Sequence, residues 1–152
     1  MAFKKVTYIL VGLALFMTAI KPFDSKAQAA KPNEFIVIGN TVDIKSASSK
    51  HIQSIFRGKY STWNNRQSVV IVLPSKKNET CAGVASYLYE TSITGMQKFW
   101  LSQVFQGRSN PPVFLDTDAE IINYVKKNQG AIGIISRSNT EIETALIINI
   151  LN

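Results

Sequence analysis

Cysteine and histidine, the residues that most often hold metals or act as nucleophiles, each occur once among the 152 residues of this chain. Because Cys81 has no second cysteine to pair with, an internal disulfide is excluded. His51 has no cysteine or second histidine at metal-ligand spacing, so we predict no metal site and interpret it as a surface or helix-end residue. Ser-His-Asp patterns, paired catalytic carboxylates and Walker-type glycine loops are also missing from the sequence. We therefore predict a protein that is not an enzyme and needs no cofactor.

A hydrophobic run long enough to cross a membrane is missing as well. The apolar run from Val6 to Ile20 is shorter than the about 20 residues that a spanning helix needs. Two lysines precede this run, and Ala27-Gln28-Ala29 follows it as a small-x-small cleavage pattern. This arrangement is typical of a secretory signal peptide, with an uncleaved anchor as the alternative. We predict a signal peptide over residues 1–29 and a single periplasmic or secreted domain over residues 30–152.

Basic residues outnumber acidic ones, but much of the excess lies in the predicted signal peptide. The formal net charge of +7 falls to +4 without that segment, which carries four lysines and one aspartate. A charge of this size favours acidic partners or a membrane surface only weakly, and no basic run contains interleaved aromatics. We therefore predict no nucleic-acid partner, and no membrane span in the mature chain.

Apolar runs and helical patterns alternate along the mature chain. Short, nearly continuous apolar runs predict buried strands, and apolar residues at helical spacing behind capping residues predict helices. Strands are expected at 34–39, 69–73, 113–115, 131–135 and 145–151, and helices are expected to begin at 48–49, 78–80, 94 and 117. Thr117-Asp118-Ala119-Glu120 fits a capping box at the last of these starts. This order predicts an α/β fold with a mixed, mostly parallel sheet flanked by helices.

The third predicted helix has its own start signal and a strongly apolar side. Thr94 and Gln97 have the spacing of a capping box, so we expect the helix to begin at Thr94. Its inner face is expected to contain Phe99, Trp100, Val104 and Phe105. We interpret Trp63 and Trp100 as packing residues.

Cys81 falls in the first turn of the second predicted helix. Two interpretations remain open for it. The helix N-terminus lowers the pKa of a nearby thiol and makes it reactive, whereas burial among apolar residues leaves it inert.

The stretch from Ser68 to Leu88 carries the main candidate site, because an apolar strand there leads through a short polar loop into a helix. The first N–H groups of a helix lack internal partners and carry a partial positive charge, so this junction favours an anion. The predicted ligand-binding residues of the loop are Ser75, Lys77, Asn78 and Thr80. The alternative is an ordinary solvated loop that caps a helix.

Two further pairs of polar residues follow predicted strands. Open α/β sheets bind ligands in a crevice at strand ends. We therefore expect Asn40 and Thr41 to face the same crevice, with a simple turn as the alternative. Ser136 and Arg137 follow a later strand, and the arginine has the geometry to pair with a carboxylate or a phosphate. Its alternative is a surface charge.

Several segments carry a family resemblance through their order and spacing. They are Ile55-Phe56-Arg57-Gly58-Lys59 with Thr62-Trp63, the strand and loop from Val69 to Thr80, Trp100 with Phe105-Gln106-Gly107 and Pro111-Pro112, and Asp118-Ala119-Glu120-Ile121-Ile122 with Asn128 to Ile134. Together they resemble a short, single-lobe branch of the phosphate-type periplasmic solute-binding proteins. The resemblance covers most of the chain from Phe35 to Ser136 and implies a periplasmic-binding-protein-like lobe.

The resemblance implies a substrate-binding role in phosphate ABC transport, with phosphate or a similar small anion as the ligand. The family's loop is commonly rich in glycine and contains an arginine, whereas the loop from Ser75 to Thr80 has neither. Glu79 adds a negative charge where the anion would bind, and only Thr80 and, more loosely, Ser75 match ligand-contacting types. The alternative function is therefore an interaction module of a cell-envelope assembly that keeps the fold and has lost phosphate binding. A third hypothesis is a homodimer in which two copies rebuild a two-lobed cleft.

Overall fold

The computed structural model describes residues 34–138 and 142–151, so the predicted signal peptide lies outside the described part. The helices and strands follow in the order β1 (Phe35–Gly39), β2 (Ser46–Ser48), α1 (Ser49–Phe56), β3 (Val70–Pro74), α2 (Cys81–Tyr89), α3 (Ile93–Phe105), β4 (Val113–Leu115), α4 (Asp118–Lys127), β5 (Ala131–Ser136), a 3₁₀ turn (Thr144–Leu146) and β6 (Ile147–Leu151). Within the described ranges, none of the helices has the length and apolar character needed to span a bilayer.

All the strands belong to one mixed, six-stranded sheet in the order β2-β6-β1-β5-β3-β4. β3 runs parallel to both β4 and β5, and β2 runs parallel to β6. β1 is antiparallel to both of its neighbours, with Phe35 opposite Ser136 and Gly39 opposite Ile132. The start of β1 therefore lies at the sheet end where β3, β4 and β5 finish.

Helices cover both faces of the sheet, which confirms the predicted fold class. Adjacent strand residues point to opposite faces, so Val37 packs with α1, α2 and α3 while Ile38 packs with α4. Both faces of the central strands are thus buried, which explains why their sequences are continuous apolar runs.

Gly133 permits the close approach of α4 to β5. A Cβ atom at this position would lie 2.8 Å from Ile121 Cγ2 and 3.1 Å from Val125 Cγ2. Because such distances are shorter than carbon atoms tolerate, a larger residue would push α4 away from the sheet.

The starts of α1 and α4 follow the predicted signals, and the start of α3 departs from its predicted signal. Ser48 caps α1, and Thr117 forms the predicted capping box at the start of α4. The prediction for α3 was wrong: the helix begins at Ile93, because the extended Ser92 accepts a hydrogen bond from Gly95 N through its side chain. Ser92 thus takes the capping position that the spacing had assigned to Thr94.

The predicted inner face of α3 is only partly buried. Trp100 is buried and donates through Nε1 to Tyr89 Oη at 2.8 Å, which confirms its packing role. Val104 and Phe105 are exposed, Phe105 to 82%, so their predicted burial was wrong. The reason is that α3 packs mainly on α2 rather than on the sheet, so only a narrow stripe of it is covered.

The observed strand boundaries differ from the predicted ones by a few residues, and one strand was not predicted. The final strand begins at Ile147 after the 3₁₀ turn, and β3 includes Pro74 as its last residue. The short β2 gave no apolar signal because only Ala47 of its three residues is buried. Its pairing with β6 was therefore not predictable from local pattern.

Candidate functional site

A crevice of about 620 Å³ opens at the end of the sheet where β3, β4 and β5 finish. The start of β1, the loop and first turn of α2, the start of α4 and the end of β5 all contribute to it. Its lining residues are Glu34, Phe35, Lys77, Asn78, Glu79, Thr80, Gly83, Asp116, Thr117, Asp118, Ser136 and Ser138. Because most of these side chains are polar, the crevice is suited to a polar ligand.

Asn78 organises the first turn of α2. Its side chain is buried, and its Oδ1 accepts a hydrogen bond from Thr80 N at 2.8 Å, while its carbonyl accepts one from Cys81 N at 3.0 Å. The next N–H groups, those of Ala82 and Gly83, make no hydrogen bond within the described residues. The helix therefore presents two free donors where its dipole is positive.

Asp116 is hydrogen-bonded to two side chains of the loop before α2. Its carboxylate accepts hydrogen bonds from Ser75 Oγ at 2.5 Å and from Lys77 Nζ at 3.0 Å. The hydrogen bonds from Ser75 and Lys77 lower the pKa of Asp116 below its ordinary value. Two side chains that were predicted to bind an anion are thus bonded to a carboxylate of the protein itself.

Asp118 joins three elements at the floor of the crevice. Its Oδ1 accepts from Asn78 Nδ2 at 3.1 Å, and its Oδ2 accepts from Ser136 N at 3.0 Å. The first turn of α4 is thereby tied to the loop before α2 and to the end of β5. Asn78, the third predicted loop residue, is therefore a structural anchor in this arrangement.

Thr80 is the predicted loop residue whose side chain remains available. It lines the crevice, and its hydroxyl makes no hydrogen bond among the described residues. Thr80 thus adds a third uncommitted donor to the N–H groups of Ala82 and Gly83.

Acidic side chains outnumber basic ones in the crevice lining. Glu34, Glu79, Asp116 and Asp118 face a single lysine, Lys77. Two like charges about 4 Å apart repel by about 4 kcal/mol at an effective dielectric constant of 20. The lining therefore opposes a fully ionised anion and favours a ligand that brings a proton or a positive charge.

The structure brings only some of the sequence-predicted site residues together. Ser75, Lys77, Asn78, Thr80 and Ser136 lie in or beside the crevice.

Asn40 and Thr41 lie at the opposite end of the sheet, because β1 is antiparallel to β5. The Asn40 amide donates instead to the carbonyls of Val125 and Lys126 at the end of α4. The prediction that this pair faces the crevice was wrong, because β1 runs in the opposite direction to β5.

Arg137 follows Ser136 at the rim of the crevice. Its backbone N donates to Glu34 O at 2.9 Å, and its Nη2 lies 3.4 Å from Phe35 O. The exposed guanidinium therefore contacts the start of β1.

Sequence reasoning missed the two aspartates that organise the crevice. Asp118 was interpreted only as part of a helix start signal and of a segment that carries the family resemblance. Asp116 directly follows β4, and the rule that ligand sites lie at the carboxyl ends of parallel strands would have indicated it. The direction and register of β4 beside β3 were needed to apply that rule.

Cys81 is fully buried at the start of α2. Burial raises the pKa of its thiol above the ordinary value. The interpretation as an inert, buried residue is therefore supported, and a helix-lowered thiol pKa is contradicted.

No family model and no curated protein matches the sequence. Among solved structures, PstS from Borrelia burgdorferi matches with a TM-score of 0.57 at 12% identity, over 77% of this chain and 47% of that chain. A possible phosphate binding protein from Planctomyces limnophilus matches with a TM-score of 0.53 at 10% identity, over 77% of this chain and 40% of that chain. The chain thus spans less than half the length of these proteins. At such identities the likeness shows the fold alone, and it confirms the resemblance to phosphate-type solute-binding proteins at that level.

Proposed function

We propose that this protein is a non-enzymatic solute-binding protein that holds a small oxyanion of the phosphate class at the start of α2. The observation that carries the proposal is the group of uncommitted donors at the start of α2, formed by the Thr80 hydroxyl and the N–H groups of Ala82 and Gly83; of these residues, Thr80 and Gly83 line the crevice. Donors at a helix N-terminus suit an oxyanion in both direction and charge. The fold shared with phosphate-binding proteins supports the same ligand class.

The acidic lining decides which form of the anion binds. Ionised carboxylates only accept hydrogen bonds, so an oxyanion beside Glu79 must carry a proton to form a favourable contact. Hydrogen phosphate species carry such a proton near neutral pH, and sulfate does not. The crevice therefore selects phosphate over sulfate.

Titration calorimetry at low salt, with phosphate, sulfate and small carboxylates, tests this proposal. We expect heat with phosphate, weaker or no heat with sulfate, and weaker phosphate binding as rising pH removes its protons. No heat and no thermal shift with any of these anions at millimolar concentration would refute it.

Thr80→Val is the informative variant, since it keeps the side-chain shape and removes the hydroxyl. Loss of one hydrogen bond to a charged ligand is expected to weaken phosphate binding about tenfold or more. Thr94→Val, an exposed position on α3, is the matched control and should leave binding unchanged.

We further propose that the protein is exported to the periplasm or secreted, with residues 1–29 removed as a signal peptide. The lysines, apolar run and small-x-small pattern at the start of the sequence support this. The intact mass of the protein recovered from its native compartment tests it. A mass that still includes residues 1–29 would contradict cleavage.

The second candidate function is an interaction module of a cell-envelope assembly. It is favoured by the internal bonding of Ser75, Lys77 and Asn78 to carboxylates, which leaves an acidic crevice suited to a cationic side chain of a partner. Cross-linking in the native envelope tests it. A defined partner that is lost in a Glu79→Gln variant, together with no heat from any anion, would favour this function over the first.

A homodimer built crevice to crevice would bring the acidic linings of two copies together. Because like charges at such a contact repel, we expect a monomer at neutral pH without ligand. Light scattering with and without phosphate measures this directly, and a ligand-independent dimer would contradict the expectation.

A further inference from the structure

The C-terminal half of α3 and the edge strand β4 expose a contiguous set of apolar side chains. Leu101 is 58%, Val104 37%, Phe105 82% and Phe114 38% exposed. Leu101, Val104 and Phe114 line a shallow, almost wholly apolar groove of about 240 Å³ together with Pro111 and Pro112, and Phe105 follows Val104 at the end of α3. We call this set the α3–β4 face. Scattered apolar side chains on a surface are common, but a contiguous exposed set of this kind marks an interaction site.

The chain segment that forms this face carries cations and no acids. Lys98 and Arg108 are exposed and lie before and after the exposed apolar residues of α3 along the chain. The sequence contains no aspartate or glutamate from Thr91 to Leu115. Neither cation forms an ion pair within the described residues. Their charges are therefore available to an external anionic surface.

Three exposed side chains of α3 lie on the side of the helix opposite the buried Met96 and Trp100. Lys98, Leu101 and Phe105 are spaced by three and four residues, which places them in one row. Phe105 protrudes at the end of this row, next to the turn at Gly107, which has open space around it. The row resembles the exposed side of an interfacial helix, in which apolar ends enter the acyl boundary and basic groups stay at the headgroups.

The end of this face at Phe105 and Arg108 lies away from the crevice. The loop that carries Arg108 leads into the start of β4, and β4 runs parallel to β3. The loop therefore lies at the sheet end opposite the crevice, which follows the ends of these strands. Docking through the loop and Phe105 leaves the crevice open to solvent.

We propose that the α3–β4 face binds an anionic lipid surface. A second copy placed symmetrically on the face would bring the cations of both copies together, which like-charge repulsion opposes. The protrusion of Phe105 beyond the groove fits insertion into a fluid interface better than enclosure by a folded partner. The modest net charge of the chain does not indicate this site, because the charge sums cations here with acids elsewhere, four of which line the crevice.

Sedimentation of the mature chain with vesicles tests the proposal, using phosphatidylcholine alone and phosphatidylcholine mixed with phosphatidylglycerol. We expect binding to the mixed vesicles only, and its loss at high salt. Phe105→Ser is expected to weaken vesicle binding about tenfold or more, and Lys98→Gln about fivefold. Because both side chains are exposed, the variants should keep the circular dichroism spectrum of the parent.

Leu151→Ser and Lys50→Gln are the matched controls, since both positions are exposed and lie outside the face. They should bind vesicles like the parent. The proposal is overturned by absence of binding to mixed vesicles at low salt, or by equal losses in face and control variants. It is also overturned if light scattering shows a stable dimer that Leu101→Ser dissociates, because the face is then an interface between copies. Phosphate binding at the crevice is independent of each of these outcomes.

Discussion

The crevice and the α3–β4 face differ in charge and in how their side chains are bonded. In the crevice, acids predominate, and Ser75, Lys77 and Asn78 are hydrogen-bonded to Asp116 and Asp118. On the face, cations and apolar groups extend into solvent without ion pairs among the described residues. A change at Asp116 or Asp118 should therefore affect folding and ligand binding together, whereas a change on the face should affect binding alone.

The same comparison shows why overall composition is a poor guide to this protein's partners. The net charge combines two oppositely charged regions of one small domain. At moderate salt, screening weakens electrostatic interactions beyond about 10 Å. A molecule close to one region therefore experiences mainly the electrostatic field of that region. Local charge, rather than the total, decides which partner each region favours.

The largest expected effect is loss of stability on removing the Asp118 carboxylate. Asp118→Ala leaves the buried Asn78 amide and the Ser136 N–H without an acceptor. Such unsatisfied donors cost about 2 kcal/mol of unfolding free energy, measured by urea denaturation. The control is Glu79→Ala, an exposed crevice acid, which should change stability by less than about 0.5 kcal/mol. Equal effects of the two variants would show that the crevice is not held together by Asp118.

Neutralising Glu79 is expected to strengthen phosphate binding. Because Glu79 is exposed, the dielectric constant of water applies, at which one like charge about 4 Å away costs the ligand about 1 kcal/mol. Glu79→Gln should therefore tighten phosphate binding about fivefold by calorimetry. Glu90→Gln, at the far end of α2, is the control and should have little effect. Unchanged affinity in Glu79→Gln would place the ligand away from the start of α2.

Titration of Asp116 in the crevice should make the free energy of unfolding slightly dependent on pH, an effect that the α3–β4 face should not produce. Its folded-state pKa lies below the ordinary value of 3.8, mainly because Ser75 and Lys77 donate to the carboxylate. A lowered pKa adds stability above the ordinary value, and that stability disappears as pH falls through the folded-state pKa. Titration followed by NMR should show the Asp116 pKa rising toward its ordinary value in Ser75→Ala. Ser102→Ala, on α3, should leave it in place.

The smallest expected effect is on the stability of the face variants. Because Phe105 and Leu101 are mostly exposed, serine at either position should change the unfolding free energy by less than about 0.5 kcal/mol. Urea denaturation beside Asp118→Ala gives the direct comparison. A loss as large as that of Asp118→Ala would mean that the face is part of the folded core.

Much of the fold was predictable because local patterns and tertiary packing agree. Continuous apolar runs marked β1, β3 and β5, since both faces of these strands are covered. The capping box at Thr117 marked α4 because the signal is local and complete. The exposure of Phe105 was not predictable, because it depends on α3 packing on α2 instead of the sheet.

The candidate site was predictable only where one segment contains it. The loop before α2 was identified from its position between a strand and a helix, and Thr80 remains a donor there. Asn40 was misplaced because the pattern of β1 does not encode its direction relative to β5.

Local sequence patterns specified five of the six strands of the described chain, its helices and the position of the polar loop at a helix start. These follow from apolar periodicity, capping residues and chain order, all of which act over a few residues. The contacts of that loop depend on tertiary packing. Asp116 and Asp118 lie about 40 residues beyond Ser75 and Asn78 in the chain, and parallel pairing of β3 with β4 brings them together. Strand direction and register set these contacts, and neither can be predicted from the residues of the loop.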